Sequence, residues 1–449
     1  MPEAQILEHE SGIGSEASEQ ATEKQQRELE HDGANFGRRN WKLNVLEALW
    51  SFRYPQHAEN VYNPKRMKLT SVLLGLLLGA AYAASAAETP ASPTPSTNAA
   101  APARRSQPRP VLSPEIQADH RVTFRLRAPK ASEVVVNGQW ADGRTALTKD
   151  TNGVWSATVG PIEPGVYEYS LTVDGLTMID PGNPAIKPMR EPRTSILHLP
   201  GQPPLLHDFQ DVPHGVVRQH TYRSKALGRL RELAVYTPPG YEQQAEASFP
   251  TLYLQHGSGD NQATWIAHGK AHWILDNLIA QGRAKPMVVV MMDGHAAAPG
   301  AGANGFDSNT QAFERDLLED VMPFIEANYR VKPDAAARGI VGLSMGGGQS
   351  LTIGLNHLER FAWVGGFSSS VPSREAVAGA LDNPDSTNAK LKLLWIGCGK
   401  DDFLLKRNED FIALLKGKGL RHEWHLTDGS HSWPVWRTYL VEFAPKLFQ

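Results

Sequence analysis

The five residues Gly342 to Gly346, with the sequence GLSMG, constrain the fold of this 449-residue chain more than any other feature. The pattern G-x-S-x-G stands between a predicted buried strand, residues 339–342, and a predicted helix, residues 346–357. A serine at such a tight turn has a strained backbone, and flanking glycines allow strand and helix to approach closely. N–H groups of the first helical turn then face the serine oxygen. The context predicts a nucleophilic Ser344.

Strands and helices alternate along the sequence from about residue 215 to the C-terminus. Short apolar stretches such as residues 251–255 and 287–292 indicate strands buried on both faces. Periodic stretches such as residues 271–282 and 312–329 indicate helices. The alternation predicts an α/β fold with a doubly wound, mostly parallel sheet and helices on both faces. With the G-x-S-x-G turn, it predicts the α/β-hydrolase fold for residues 215–449.

A nucleophilic serine needs a base and an acid, which in this fold follow it in the order serine, acid, histidine. His431 is the expected base, because it lies in a loop after the last predicted strand and reaches over the sheet edge. The loop after the next-to-last strand offers Asp402 as the preferred acid and Asp401 as the runner-up. Asp428, in the histidine's own loop, is a less favoured alternative. Structural roles are expected for the other histidines after the serine, His357, His422 and His425.

The loop after the predicted strand 251–255 begins with residues 256–259, HGSG. In α/β-hydrolases the negative charge that develops on the substrate oxygen is bound by two backbone N–H groups. One belongs to the residue after the nucleophile and the other to a loop such as this one. We therefore expect an oxyanion hole formed by Met345 with Ser258 or Gly257.

Composition and residue spacing exclude several other functions. The net charge is −3 and no long basic run occurs, so no nucleic-acid partner is predicted. The one cysteine, Cys398, cannot form an intramolecular disulfide or a cysteine-rich metal site. His268 and His272 have i, i+4 spacing, but they lack the glutamate of H-E-x-x-H, so they and His256 are expected to be structural. No metal and no cofactor is predicted, and the oligomeric state is not indicated.

Residues 111–202 show a different pattern, in which short alternating stretches end at turn residues. Residues 122–126 and 167–173 alternate between apolar and polar side chains, and Asn137-Gly138 and Asp174-Gly175 are turn dipeptides. Short strands at this spacing predict a small immunoglobulin-like β-sandwich that precedes the α/β domain.

The stretch before the sandwich predicts export. Residues 67–87 combine a lysine, the apolar run 72–81 and small residues typical of a cleavage site, which indicates a signal peptide. The apolar run is shorter than the ~20 residues that span a bilayer, so no stable membrane anchor is expected. Residues 88–110 are a linker rich in Pro, Ala, Ser and Thr. Residues 1–66 are polar and are interpreted as a non-native upstream extension or a disordered segment. The predicted location is secreted or periplasmic.

Taken together, these motifs resemble carbohydrate esterase family 1, the feruloyl and acetylxylan esterases, and the related enterochelin-esterase-like hydrolases. The resemblance covers essentially all of residues 215–449. Within such esterases the acid aligns with the second aspartate of the KDD stretch, which supports Asp402, and the base aligns with His431. The resemblance rests on the stretches LYLQHG (252–257), GLSMGG (342–347), GCGKDD (397–402) and GSHSW (429–433).

The region 111–200 resembles the early-set β-sandwich related to carbohydrate-binding module family 48. The stretches VVVNG (134–138), YEY (167–169) and IDPGNP (179–184) carry this resemblance, together with Trp140. Trp140 has two interpretations that the sequence leaves open: its ring stacks on a sugar, or it packs in the protein core.

These features predict a secreted serine esterase that removes feruloyl or acetyl groups from xylan, with plant cell-wall polysaccharide as its partner. Trp265, Trp433 and Trp436 are expected near the site, where they would suit a hydroxycinnamoyl group or else belong to the core. Two alternatives stay open. One is an esterase for a trilactone siderophore, which would need a basic pocket. The other is a carbohydrate-binding protein with a vestigial hydrolase domain, which an apparently complete triad disfavours.

Overall fold

The computed structural model describes residues 111–297 and 305–449. The predictions for residues 1–66, 67–87 and 88–110 lie outside the described residues. All described residues belong to one compact unit, Arg104–Gln449. Within the two described ranges, the helices are too short or too polar for any of them to cross a bilayer.

Residues 115–199 form two antiparallel sheets. Over the described residues their strands are β1 (Glu115–Ile116), β2 (Val122–Arg127), β3 (Val134–Gly138), β4 (Arg144–Ala146), β5 (Thr148–Lys149), β6 (Val154–Val159), β7 (Gly165–Val173), β8 (Leu176–Met178) and β9 (Ser195–Leu199). One sheet has the order β1-β2-β6-β5. The other has the order β4-β3-β7-β8, and β9 pairs with the first half of β7. This region is therefore a β-sandwich, while its immunoglobulin-like, early-set identity stays a prediction.

An apolar core fills the space between these two sheets. Phe124 and Leu171 are fully buried there, and Trp140 is 8% exposed. The Trp140 ring stacks on the Phe124 ring, with centroids 5.5 Å apart. Of the two interpretations of Trp140, the structure supports the core residue, because the side chain is largely buried and one face of its ring is covered by Phe124.

The remaining strands form one mixed sheet. In chain order they are β10 (Val216–Ser224), β11 (Arg229–Thr237), β12 (Thr251–Gln255), β13 (Val288–Met292), β14 (Arg338–Leu343), β15 (Trp363–Phe367), β16 (Leu393–Gly399) and β17 (Glu423–Thr427). Their order in the sheet is β10-β11-β13-β12-β14-β15-β16-β17. The two pairs made by β11 are antiparallel and all later pairs are parallel. The predicted doubly wound, mostly parallel sheet is confirmed.

Helices cover both faces of this sheet and enclose two apolar clusters. The α-helices among the described residues are α1 (Thr264–Ala267), α2 (Ala271–Ala280), α3 (Gly305–Arg315), α4 (Met322–Asn328), α5 (Ser344–Asn356), α6 (Ala378–Leu381), α7 (Pro384–Lys390), α8 (Leu405–Gly417) and α9 (Trp433–Phe443). Short 3₁₀ turns span Ala335–Ala337, Glu375–Val377 and Ala444–Lys446. Because strands β12 to β17 are parallel, their carboxyl ends lie at the same edge of the sheet, where ligands bind in folds of this kind.

The prediction of one continuous helix over residues 312–329 needs a correction. It is divided into α3, a π-helical segment Asp316–Val321 and α4. The wider turn accompanies a buried carboxylate. Asp316 is 0% exposed, its Oδ2 accepts a hydrogen bond from the Tyr222 hydroxyl at 2.6 Å, and it forms an ion pair with Arg231 Nε at 3.0 Å. The hydrophobic periodicity of the sequence could not predict this division, because the partners of Asp316 lie far away in the chain.

The sandwich and the α/β domain share a polar interface. The backbone N–H of Arg190 donates to the Gly259 carbonyl at 2.9 Å, and Met189 forms a β-bridge with Asp260. The buried Arg437 of α9 donates to the carbonyl of Val166 in β7 at 3.1 Å. The interface thus brings a loop of the sandwich against the loop that follows β12.

Candidate active site

Ser344 begins helix α5 directly after strand β14 and has a backbone φ of 74°. For a residue other than glycine, this left-handed conformation is strained and common at functional sites. A Cβ on Gly346 would lie 2.3 Å from the His256 carbonyl oxygen, and one on Gly342 would lie 2.5 Å from the Gly346 backbone. Only glycine fits at both positions, which is the steric reason for the predicted turn.

Three side chains that are distant in sequence form one hydrogen-bonded chain at the carboxyl ends of the strands. His431 Nε2 lies 3.0 Å from Ser344 Oγ, and His431 Nδ1 lies 2.9 Å and 3.1 Å from the two carboxylate oxygens of Asp402. An ionised carboxylate only accepts hydrogen bonds, so Nδ1–H donates to Asp402. The Nε2 of the neutral imidazole is then the acceptor for the serine hydroxyl.

The Asp402 carboxyl group is suited to remain ionised although its side chain is fully buried. Burial by itself raises its pKa, but hydrogen bonds from His431 and from the Leu404 backbone N–H outweigh burial and hold the pKa below its ordinary value. Asp401, the runner-up, is exposed, and its backbone N–H donates to the Gly429 carbonyl at 3.0 Å. The geometry therefore favours Asp402 over Asp401.

Asp428, the third candidate acid, lies apart from this chain of hydrogen bonds. Its carboxylate forms an exposed ion pair with Lys400, with 2.8 Å between Oδ1 and Nζ. His357, His422 and His425 bond to other groups, which agrees with the structural roles expected for them.

The loop after β12 lies beside Ser344 and is held by His256. A Cβ on Gly257 would be 3.4 Å from the Ser344 Cβ, so the Gly257 backbone adjoins the serine. His256 Nδ1–H donates to the Gly257 carbonyl at 2.7 Å, and its Nε2 accepts the Gly294 N–H at 2.8 Å. Ser258 follows at the exposed end of the loop, and Met345 continues the first turn of α5. Their role as an oxyanion hole stays a prediction.

The three tryptophans expected near the site form a buried aromatic cluster behind His431. Trp265, Trp433 and Trp436 are 1%, 4% and 6% exposed. The centroids of Trp265 and Trp433 are 5.0 Å apart and those of Trp433 and Trp436 are 5.4 Å apart. Trp436 meets the His431 imidazole edge-to-face at 5.0 Å. Because the rings cover one another, this arrangement favours the core interpretation and lends no support to stacking on a substrate.

Sequence analysis missed the exposed aromatic residue of the site, which is Phe403. Its ring centroid lies 4.5 Å from that of His431, and 76% of the residue is exposed. The available signal was its position directly after Asp402, since a hydrophobic residue next to the expected acid in a surface loop is not needed for the core.

Neutral imidazoles are good metal ligands, so the partners of the remaining histidines bear on whether a metal site exists. His268 is buried between Trp433 and Glu168, and His272 packs on Trp273, which fits the structural roles expected for them. Among the described residues, His198, His207 and Asp208 bring donor atoms within 4.8 Å of one another.

The residues of this cluster already form hydrogen bonds that hold the segment connecting the two domains. Asp208 Oδ1 accepts from His198 at 2.8 Å, while Oδ2 accepts backbone N–H groups. Burial and the positive charge of Arg437, with a smaller contribution from Lys270, lower the pKa of His207 to about 4.

Comparison with known proteins agrees with the site. Residues 224–447 match the Esterase family. The chain is 33% identical over 343 residues to an endo-1,4-beta-xylanase/feruloyl esterase of Xylanibacter ruminicola, which covers 75% of this chain and 46% of that protein. It is also 28% identical over 160 residues to endo-1,4-beta-xylanase Y of Acetivibrio thermocellus, or 33% of this chain and 14% of that one. The chain thus spans less than half the length of these curated relatives.

A solved structure extends the likeness beyond the α/β domain. The enterobactin esterase FES of Shigella flexneri superposes with a TM-score of 0.53 at 19% identity, covering 73% of this chain and 93% of that one. Identity at this level speaks for the fold alone. The predicted α/β-hydrolase fold and the predicted resemblance to these esterases are confirmed.

Proposed function

The chain belongs to the Esterase family through residues 224–447, and we propose that it hydrolyses carboxylic esters with Ser344 as nucleophile, His431 as base and Asp402 as acid. The hydrogen-bonded chain from the Ser344 hydroxyl through His431 to the Asp402 carboxylate is the observation that carries this proposal. It combines a strained, accessible nucleophile with a base of defined tautomer. A vestigial hydrolase domain has no need of this combination.

The geometry supports a two-step mechanism. Ser344 Oγ attacks the ester carbonyl carbon while His431 Nε2 takes its proton, and the resulting imidazolium is stabilised by the Asp402 carboxylate. His431 then gives this proton to the alcohol oxygen as the carbon–oxygen bond breaks, which leaves an acyl group on Ser344. Water, deprotonated by His431, hydrolyses this acyl-enzyme and restores the serine.

The oxyanion of each tetrahedral intermediate is assigned to the backbone N–H of Met345 and to an N–H of Gly257 or Ser258. His256 supports this assignment, because its hydrogen bond to the Gly257 carbonyl orients the peptide that carries the Ser258 N–H. Pre-oriented donors need no reorganisation when charge develops on the substrate oxygen.

We assign the substrate as a feruloyl or acetyl ester of plant xylan. The 33% identical relative, whose name combines xylanase and feruloyl esterase, is similar over 75% of this chain and so supports a feruloyl ester. The expected signal peptide and linker fit an enzyme that is exported to meet a polysaccharide. Hydrolysis of a trilactone siderophore is the competing assignment, and likeness in fold to an enterobactin esterase does not decide between them.

Activity assays on three substrates test the proposal: methyl ferulate, acetylated xylan and a siderophore trilactone. We expect hydrolysis of one or both plant-type esters, and loss of about 10³-fold or more in kcat for Ser344→Ala. Ser350→Ala, the same change further along α5 at a buried position, is the matched control and should keep its activity. Full activity of Ser344→Ala contradicts the mechanism, and turnover of the siderophore alone contradicts the substrate assignment.

A further inference from the structure

The imidazole of His431 contacts two aromatic rings that differ in exposure. Trp436, whose ring centroid lies 5.0 Å away, is 6% exposed and belongs to the buried aromatic cluster. Phe403, whose ring centroid lies 4.5 Å away, is 76% exposed. Among the described residues, Phe403 is the most exposed large hydrophobic residue. A large exposed aromatic residue is informative when it adjoins a reacting group.

The backbone around Phe403 is fixed by the turn that holds the triad carboxylate. Its two neighbours, Asp402 and Leu404, are each 5% exposed. The Leu404 N–H donates to Asp402 Oδ1 at 2.8 Å, and the Leu405 N–H donates to the Asp402 carbonyl at 2.9 Å. With both neighbours anchored inside the protein, the intervening side chain is directed outward, and the exposure of Phe403 is a consequence of the same turn that positions Asp402.

The direction of proton transfer decides which half of an ester Phe403 can meet. His431 Nε2 must deliver its proton to the oxygen of the departing alcohol, so the alcohol half lies against the imidazole. The carbonyl oxygen is directed toward the assigned oxyanion hole, and the acyl half takes the remaining direction from the carbonyl carbon. Phe403 contacts the imidazole itself and is therefore on the alcohol side of the site.

The surface around Phe403 is polar and carries groups that bind hydroxyls. Lys400, Asp401, Asp428 and Ser430 are exposed in the two loops that hold the acid and the base, and Lys400 pairs with Asp428 at 2.8 Å. An exposed aromatic face bordered by charged and hydroxyl side chains matches a sugar ring, which has an apolar face of C–H groups and an edge of hydroxyls.

We infer that Phe403 forms a leaving-group subsite that binds the sugar ring carrying the ester, with the ring face stacked on the phenyl group. This inference rests on the proposed ester hydrolysis and deepens it, because it assigns recognition of the sugar to the α/β domain beside the catalytic base. Phe403 acts on substrate binding and is not required to orient His431.

The test compares two esters that share the feruloyl group and differ in the alcohol. One is methyl ferulate, whose methanol half is too small to reach Phe403, and the other is a feruloylated arabinoxylan oligosaccharide. For Phe403→Ala we expect the ratio of kcat/KM for the sugar ester to that for the methyl ester to fall about tenfold, mainly through KM. Phe403→Trp keeps an aromatic face and should restore most of the ratio.

Phe209→Ala is the matched control, because Phe209 is also an exposed phenylalanine, at 61%, and lies against His214 and Trp273. It should leave the ratio unchanged. Equal losses on both esters, or a shifted pH profile with methyl ferulate, would mean that Phe403 only supports His431 and would overturn the inference.

Direct binding separates this inference from the proposed function. The unesterified oligosaccharide is titrated into the Ser344→Ala protein and into the Ser344→Ala, Phe403→Ala double variant, with binding followed by calorimetry or NMR. Weaker binding by the double variant supports the subsite even if neither ester is turned over. Equal binding, or no binding by either protein, contradicts the subsite whether or not the enzyme hydrolyses methyl ferulate.

Discussion

Lys187 Nζ lies 3.1 Å from Asp260 Oδ1, and this ion pair joins the β-sandwich to the loop that begins beside Ser344. The same ammonium group lies 2.9 Å from Glu168 Oε1 of strand β7. All three side chains are at most 12% exposed. The sandwich is therefore part of the support of the active site, because one of its lysines neutralises a carboxylate in the predicted oxyanion loop.

Replacement of Lys187 by methionine should destabilise the protein strongly. The change keeps an apolar stem but leaves two buried carboxylates without a cation, which costs about 3 kcal/mol in the free energy of unfolding. Denaturant unfolding of both proteins measures this difference. Lys400→Met removes an exposed ion pair with Asp428 and should change the stability little. Equal stability of Lys187→Met and the wild type would show that the network is not a structural support.

The two aspartates of the KDD stretch provide a matched pair of variants. Asp402→Asn should lower kcat by about 10³- to 10⁴-fold, because the amide no longer holds His431 in the tautomer that accepts the serine proton. Asp401→Asn alters an exposed neighbour and should stay close to wild type. Steady-state kinetics with methyl ferulate distinguish them. A large effect of Asp401→Asn with a small one of Asp402→Asn would reverse the assignment of the acid.

Gly346→Ala should impair both folding and activity. The added Cβ would lie 2.3 Å from the His256 carbonyl oxygen and 2.6 Å from the Gln255 Cβ, so the helix must move away from the strand. Overpacking of this kind costs about 1–3 kcal/mol. Gly379→Ala in α6 has no atom within 4 Å of the added Cβ and serves as the control. Thermal unfolding and kcat should fall for the first variant and not for the second.

Stability should depend on pH through Lys270. Burial, with a smaller contribution from Arg437, lowers the pKa of Lys270 to about 8 from the ordinary 10.5. Below pH 8 both the folded and the unfolded chain hold this proton, and the folded state bears the cost of keeping the half-buried Lys270 charged. Between pH 8 and 10.5 the folded state releases the proton first, so the Lys270 contribution to stability rises with pH.

Lys270→Met removes this cost and should therefore raise the melting temperature at pH 7, by a margin that shrinks as the pH approaches 10.5. The gain is about 1 kcal/mol, because loss of the cation–π contact with Trp273 offsets part of it. Lys285→Met changes an exposed lysine and should show no such trend. A variant less stable than the wild type at pH 7 would contradict the prediction.

The fold class followed from the sequence because its signals are local. Strand β12 matches its predicted range, residues 251–255, because a run this short, rich in apolar and strand-forming residues and followed by a glycine-rich loop, favours a buried strand over a helix. Strand β10, by contrast, was not predicted. Much of it is exposed at the edge of the sheet, so its residues lack the apolar pattern that marks the central strands.

Within the site, the sequence by itself predicted Ser344 as the nucleophile and determined the tight turn on which it lies, because the steric demands of this turn fall on adjacent residues such as Gly342 and Gly346. It also led to His431 and Asp402, whose places after two strands are properties of the fold. Only the tertiary structure decided which side chains around them are covered. Three predicted tryptophans are buried while Phe403 is exposed, and Lys187 reaches Asp260 from another domain. The physical reason is that burial and ion pairing depend on residues that are far apart in the chain, and a local sequence pattern does not indicate which distant residues will become neighbours.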